Sequence, residues 1–215
     1  MSENAPSVGD MMKAAFAVIA RHPVAFAAYL AFVLLLGNIG LFTQALDEPY
    51  LFMFLPTLLC WLAQFLLFSH LLNGPIRDGL PWRLLPSFVG QAVMVSLAIS
   101  MAMQIFIVPA LLLGARWIAA PSFLMRAEEG AVRSLSLSWQ ATSGLTMRTT
   151  TALFVMVLVS FVLVTVATTI SSALGLYEQG IFALLQLVFV GPLALSVALY
   201  GLLDRDYDAL TDVFA

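Results

Sequence analysis

Charge is what this sequence lacks most. Of its 215 residues only 10% are charged and 62% are hydrophobic, whereas a typical soluble domain has roughly 25% charged residues. A globule of this length has too little interior to hide so much apolar surface from water. We therefore predict a protein whose solvent is lipid, which excludes a soluble enzyme. The net charge of −3 also argues against a nucleic-acid partner, because nucleic-acid-binding domains carry a basic patch.

Residue types that perform chemistry are also scarce. The one cysteine, Cys60, lies in an apolar run, so we expect neither a disulfide framework nor a thiolate metal site. No aspartate or glutamate falls inside a predicted span, and the motifs of zinc proteases, serine hydrolases and nucleotide-binding loops are missing. We therefore expect no metal, no cofactor and no enzymatic activity.

Long uncharged runs are what the sequence has instead. A helix needs about 20 apolar residues to cross a bilayer, and four runs supply one crossing each. A further stretch, residues 84–125, holds a single charge, Arg116. As one helix it would be about 63 Å long, so we predict that it folds back at a turn between Pro109 and Gly114. The alternative for the returning arm is a short re-entrant helix.

The basic residues favour two crossings over one in this stretch. With two crossings and a cytoplasmic N-terminus, every lysine and arginine outside the stretch falls on the cytoplasmic side, whereas one crossing divides them evenly. The positive-inside rule then predicts six membrane segments with both termini cytoplasmic. The expected fold is all-α, a polytopic helical bundle forming one domain, 1–215. Its spans are expected at about 24–43, 50–72, 84–108, 110–125, 149–173 and 180–203, followed by an acidic tail, 204–215.

Two short amphipathic helices are predicted at the cytoplasmic surface, over 7–22 and 128–144. In the first, Ser7 and Asp10 have the spacing of a capping box. Its apolar stripe consists of Met12, Phe16 and Ile19. This helix either lies in the interface with the stripe among the acyl chains or packs on the bundle.

The second surface helix carries Val132, Leu135 and Trp139 at helical spacing, and Gly144 is expected as its C-cap. Tryptophan and arginine at the surface of a membrane can meet lipid headgroups. The candidate lipid or solute contacts are Arg116, Arg126, Arg133, Trp139 and Arg148. For Arg116 the structural alternative is a side chain that extends from near the outer end of the hairpin to the interface.

Polar and small residues inside the spans predict helix contacts. A stripe on the fifth span, formed by Thr165, Thr168, Thr169 and Ser172, favours interhelical hydrogen bonds. A water-lined path is the alternative, which the scattered Gln64, Gln91, Gln104 and Gln186 could join. Two small-residue stripes predict close packing: Ala92, Ser96 and Ser100 on the third span, and Gly191, Ala194, Ala198 and Gly201 on the sixth. Besides membrane lipids, these stripes make a homo-oligomer or another membrane protein an expected partner.

Three motifs in order carry a family resemblance: RHP at 21–23, GARWIAAPSFLMRAEE at 114–129 and SLSLSWQATSG at 134–144. The pattern resembles the bacterial membrane domain of glycerophosphoryl diester phosphodiesterase and the related YciC-like inner-membrane proteins. The matching residues are Arg116, Pro121, Glu128, Ser138, Trp139, Thr142 and Gly144. The resemblance implies a helical fold in the bacterial inner membrane. It does not imply hydrolysis, because the phosphodiesterase catalytic domain is not in this chain.

These observations together predict a non-catalytic, multi-pass inner-membrane protein. It would act as a scaffold, an accessory subunit or an envelope-homeostasis factor that contacts lipid. The alternative is a transporter or channel for a small solute or lipid. Because transporters bind their substrates at broken helices, that function would use the broken hairpin around Arg116.

Overall fold

The computed structural model describes residues 5–44, 49–74, 80–128, 130–173 and 189–203, and the regular structure within these ranges is helical. The helices are α1 (Val8–Arg21), α2 (Pro23–Gln44), α3 (Pro49–Asn73), α4 (Leu85–Ile105), α5 (Ile107–Trp117), α6 (Ala120–Ala127), α7 (Ala131–Ala141), α8 (Thr146–Ala173) and α9 (Phe189–Leu203). Single 3-10 turns, Trp82–Leu84 and Ser143–Leu145, precede α4 and α8.

Several of these helices are long and apolar enough to cross a membrane. In the described ranges four segments qualify: Pro56–Asn73, Trp82–Ile105, Ile107–Ala127 and Ser143–Val166. A fifth is added if α1 and Pro23–Val33 count as one bent pair. These helices indicate a multi-pass membrane protein, but the six predicted spans are not confirmed. The predicted sixth span, 180–203, starts outside the described residues and is represented by α9.

The long apolar run folds back, but not at the predicted residues. α4 ends at Ile105, Phe106 is extended, and α5 begins at Ile107 and packs along α4. The turn predicted between Pro109 and Gly114 is therefore wrong. Pro109 lies in the first turn of α5, where a missing N–H costs no helical hydrogen bond. The returning arm, α5 with α6, has 21 residues and at about 31 Å is long enough to cross the hydrocarbon core.

Gly114 lies inside α5 and allows two helices to approach closely. A Cβ atom at this position would lie 3.3 Å from Leu153 Cδ2 of α8 and 3.9 Å from Ile99 Cδ1 of α4. The first distance is tighter than nearly all real Cβ contacts. The glycine therefore serves close packing of α5 against α8, and not the reversal of the chain.

α9 packs through part of the small-residue stripe predicted for the last span. Gly191, Ala194 and Ala198 are buried. A Cβ atom at Gly191 would lie 3.3 Å from the sulfur of Met156 on α8. Gly201 is exposed and would meet nothing within 4 Å, so the close contact covers only the first three positions.

α1 is bent sharply away from α2. Its capping box forms as predicted: the Ser7 hydroxyl accepts from the Asp10 amide at 3.2 Å, and the Asp10 carboxylate accepts from the Ser7 amide at 3.0 Å. The pKa of Asp10 is lowered mainly by the hydrogen bond from the Ser7 hydroxyl and also by the one from the Ser7 amide. At His22 the chain turns by 82° into α2, and the ring of His22 lies edge-on to that of His70, with 5.8 Å between the centroids.

Of the two roles that the sequence left open for α1, packing on the bundle is observed. Met11 and Ala15 are fully buried on the side that packs against α8. Phe16 is 51% exposed, and Lys13 and Arg21 are exposed as well. A helix nearly perpendicular to an apolar helix, with an outward aromatic and two cations, has the arrangement of an interfacial helix.

α7 packs with its polar face inward. Ser134, Ser138 and Thr142 lie four residues apart, on one helical face, and are fully buried. Val132 is 71% and Trp139 42% exposed, so the predicted apolar stripe points outward. The predicted helix is present as Ala131–Ala141, but its C-cap is Thr142 and not Gly144.

The threonine stripe of α8 does not bridge helices within the described residues. Thr165 donates to the Phe161 carbonyl at 2.9 Å, and Thr168 and Thr169 donate to the Thr165 carbonyl at 2.9 and 2.8 Å. A threonine hydroxyl in a helix reaches the carbonyl one turn earlier. These hydroxyls are therefore satisfied by their own helix, and the interhelical bonds predicted for them are not observed.

Candidate functional site

A cavity of about 590 Å³ lies within the helical bundle, lined by α3, α4, α5, α6, α8 and α9 and by Ile118 between α5 and α6. Binding sites for small molecules typically have volumes of roughly 300–1,000 Å³. The volume is therefore sufficient for a ligand, and the lining residues decide which chemistry it can accept.

α3 and α4 each line the cavity with one helical face. The lining residues of α3 are Thr57, Cys60, Trp61, Gln64 and Phe68. Those of α4 are Phe88, Gln91, Ala92, Val95, Ser96, Ile99 and Ser100. Both sets recur at intervals of three or four residues, which keeps them on one face. At the rise of an α-helix the two faces extend over about 16 Å and about 18 Å.

The opposite wall is largely apolar. It consists of Gly114, Trp117, Ile118, Pro121, Leu153, Phe189, Pro192, Leu193 and Ser196. None of the described residues that line the cavity is an aspartate, glutamate, lysine or arginine. Apolar walls with a few placed polar groups are typical of sites that bind uncharged or mostly apolar ligands.

One end of the cavity is closed by aromatic rings. The ring of Phe88 lies 5.6 Å from that of Phe65 and 6.1 Å from that of Phe68, between centroids, and all three side chains are buried. Further along α4, Ser96 and Ser100 are exposed. Among the described residues, the cavity is therefore closed at its aromatic end and open sideways along α4.

Gln91 supplies a buried polar group at the closed end. It is 2% exposed, and its Nε2 donates to Ser134 Oγ of α7 at 2.9 Å. Ser134 Oγ itself donates to the Ala131 carbonyl at 2.8 Å. Because the serine proton is used there, Ser134 can only accept from the amide, which orients the nitrogen of Gln91 toward α7. Among the described residues no donor reaches Gln91 Oε1.

Gln64 faces the cavity from α3. Its Nε2 lies 3.5 Å from the Tyr29 hydroxyl of α2, at the long limit of a hydrogen bond. Its Oε1, like that of Gln91, accepts no hydrogen bond from the part of the chain that the structure describes. The cavity therefore holds two amide oxygens that have no donor among the described residues.

Arg116 and Trp139 form a joint between α5 and α7. The Arg116 guanidinium donates from Nη1 to the Trp139 carbonyl at 3.0 Å, and its Cζ lies 4.8 Å from the centroid of the Trp139 ring. In return the Arg116 carbonyl accepts from Ser138 Oγ at 2.7 Å. Thr142 Oγ1 lies 3.2 Å from the same carbonyl, but its shorter contact is with the Ser138 carbonyl at 2.7 Å. The last carbonyls of a helix lack partners within it, so the Ser138 hydroxyl caps the C-terminal end of α5.

This joint places Arg116 away from the outer end of the hairpin. The turn at Phe106 is ten residues earlier, which is about 15 Å along α5. Arg116 therefore does not lie next to the turn of the hairpin, as expected from a turn between Pro109 and Gly114. The guanidinium is instead partnered by a tryptophan ring and a backbone carbonyl of α7.

The other predicted contact residues lie apart from this joint. Arg126 donates to the Leu72 carbonyl at 3.3 Å, and so connects α6 to the end of α3. Arg148 donates to the Ala5 carbonyl at 2.7 Å, which connects α8 to the chain before α1. Arg133 is exposed on α7. The fold thus brings together only Arg116 and Trp139 of the five predicted residues.

Residues that line the cavity form a recognisable stripe in the sequence, but we predicted that this stripe packs against a helix. Ala92, Ser96 and Ser100 were expected to pack against a helix, but they line the cavity. Gln64 and Gln91, which the sequence shows as scattered, face the same space from two helices. A small or polar stripe is compatible with either role, and only the position of the neighbouring helices distinguishes them. Gln186 lies outside the described residues.

The residues of the family resemblance are concentrated at the α5–α7 joint, where Arg116, Ser138, Trp139 and Thr142 meet. Within the described ranges, no three His, Cys, Asp or Glu side chains are grouped as a metal ion would require. Comparison with known proteins found no matching family model, no matching curated protein and no matching solved structure.

Proposed function

We propose that this chain is a non-catalytic, multi-pass protein of the bacterial inner membrane that holds a lipid between its helices. In this role it would act as a scaffold, an accessory subunit or an envelope-homeostasis factor. The observation that carries the proposal is the uncharged cavity that opens sideways along α4. We further propose six spans with both termini in the cytoplasm, because that arrangement keeps the basic residues inside.

The cavity has the length of a lipid chain within one leaflet. Its lining faces extend over about 16–18 Å, and half of a ~30 Å hydrocarbon core is about 15 Å. An acyl chain that moves sideways into the cavity passes from one apolar medium to another and exposes nothing to water. The rings of Trp61, Phe88 and Trp117 line the space it would fill and would gain dispersion contacts with it.

The surface helix α1 supports contact with lipid at a second place. Its exposed Phe16 lies on a helix that also exposes Lys13 and Arg21. An aromatic ring among acyl chains and cations near lipid phosphates both favour a position in the interface. Contact with lipid is thus supported independently by the cavity and by α1.

A transporter that holds an anion on Arg116 has less support. The guanidinium already stacks on Trp139 and donates to its carbonyl, so an anion would have to compete with both contacts. We therefore assign Arg116 a structural role in the joint between α5 and α7.

The proposal can be tested with a substitution that places a large side chain in the cavity. Ser96→Phe places a ring on the lining face of α4, whereas Leu97→Phe adds a ring at a neighbouring position that is 60% exposed. Native mass spectrometry of protein extracted in a mild detergent should show bound lipid on the wild type and Leu97→Phe, and little on Ser96→Phe. Equal lipid on all three proteins, or none on the wild type, would contradict the proposal.

A further inference from the structure

We infer that the ligand of this cavity is an uncharged amphiphile with a hydroxyl or N–H group, which donates a hydrogen bond to Gln91 Oε1. The inference rests on the proposed function and adds the chemical class of the lipid. Long-chain alcohols, diacylglycerols and fatty amides have the required chemistry.

The Gln91 amide is held in one orientation. Its nitrogen is held by Ser134, whose own proton goes to the Ala131 carbonyl. The oxygen belongs to a side chain that is 2% exposed and that lines the cavity. Gln91 Oε1 is open to the cavity and accepts no hydrogen bond from the described residues, and an amide oxygen left without a donor in apolar surroundings is costly. A ligand that supplies a donor at this place removes that cost, whereas a hydrocarbon chain does not.

The lining of the cavity disfavours a charged ligand. With no charged side chain among its described lining residues, the cavity offers no partner to a carboxylate, a phosphate or an ammonium group. Transfer of an unpaired ion into such surroundings is strongly unfavourable. Free fatty acids in their ionised form and phospholipid headgroups therefore do not fit the closed end, although their acyl chains fit the open part.

Gln91 and Gln64 both lie near the closed end of the cavity. Gln91 follows Phe88 by three residues on α4, and Gln64 precedes Phe68 by four on α3, so each lies about one turn from the aromatic closed end. The ligand's polar group would therefore lie deep in the cavity, where Gln64 Oε1 is a second acceptor. From Gln91 to Ser100 the lining continues for roughly 13 Å, which gives the apolar chain a path to the open side.

Tryptophan fluorescence can test this inference, because Trp61 and Trp117 line the cavity and bromine quenches nearby indoles. The probes are a brominated long-chain alcohol and the methyl ester of the same brominated chain, each added to protein in detergent micelles. The ester accepts hydrogen bonds but donates none. We expect the alcohol to quench the wild type at roughly fivefold lower concentration than the ester, the effect of one buried hydrogen bond.

Three variants test whether the preference for the alcohol over the ester depends on Gln91 Oε1. Gln91→Met keeps the approximate volume but removes the acceptor, so alcohol and ester should quench equally. Ser134→Ala removes the bond that orients the Gln91 amide, so the N–H can turn toward the cavity and donate to the ester, and the preference for the alcohol should decrease. Gln140→Met changes an exposed glutamine of α7 and should behave as the wild type. If Gln91→Met does not fold, as judged by circular dichroism, Gln64→Met replaces it, with a partial loss of the preference expected.

The outcomes separate this inference from the proposed function. Equal quenching of the wild type by both probes would overturn the inference but would not contradict the proposal that the cavity binds a lipid. A preference for the alcohol that persists undiminished in Gln91→Met, or in Gln64→Met where it replaces that variant, would overturn it as well. Failure of both probes to quench above the level of Ser96→Phe would overturn the proposed function together with the inference.

Discussion

The joint between α5 and α7 predicts that Arg116→Leu destabilises the protein. The substitution removes a hydrogen bond from a charged donor to the Trp139 carbonyl, and such bonds contribute about 1.5–3 kcal/mol. It also removes a cation–π contact at 4.8 Å, worth about 0.5–1 kcal/mol at an exposed site. Because Trp139 is 42% exposed, the lower ends apply, and we expect a total loss of about 2 kcal/mol.

Thermal unfolding in a mild detergent would measure this loss. For a chain of this length the expected decrease in Tm is about 4–8 °C. Arg116→Lys should lie between the wild type and Arg116→Leu, because an ammonium group keeps the charge but not the planar stack. Gln140→Leu, on the exposed side of α7, is the matched control and should change the free energy of unfolding by less than about 0.5 kcal/mol.

The result that refutes this reasoning is an Arg116→Leu protein as stable as the wild type. Such a result would mean that the guanidinium merely reaches the interface, since an apolar side chain would then replace it without loss. A double-mutant cycle with Trp139→Leu isolates the stacking contribution, for which we expect a coupling of about 0.5–1 kcal/mol. A coupling of zero would assign the whole effect to the hydrogen bond.

Two further predictions concern the packing and the topology. Gly114→Val should destabilise the contact between α5 and α8 by about 1–3 kcal/mol, because a Cβ there would lie 3.3 Å from a side chain of α8. Gly90→Val, which meets nothing within 4 Å, should be nearly neutral in the same unfolding measurement, and equal effects would contradict the packing role of Gly114. Reporter fusions after Asp47 and Glu178 should show a periplasmic location, and a fusion after Arg133 a cytoplasmic one. A periplasmic signal at Arg133 would eliminate the six-span arrangement.

Local patterns in the sequence were enough to predict the two short amphipathic helices and the all-helical class of the chain. Uncharged runs of about 20 residues predict helices, because a helix of that length can cross a bilayer with its backbone groups satisfied within the segment. The capping box of Ser7 and Asp10 was predictable because both partners lie within one turn. The helix over 128–144 was predictable from its periodicity. The direction in which α7 faces was not, because its serines bond to groups far along the chain.

Positions that depend on which helices are neighbours could not be read from local sequence. Proline and glycine suggested a turn between residues 109 and 114, but Pro109 is tolerated in the first turn of α5 and Gly114 serves the approach of α8. The stripe that includes Ser96 could have packed against a helix, but it lines the cavity. The sequence alone determined that these segments are helices with the length and apolar composition of membrane spans. Only the tertiary structure decided where they leave space and which amide oxygens face it, because both depend on contacts between distant segments.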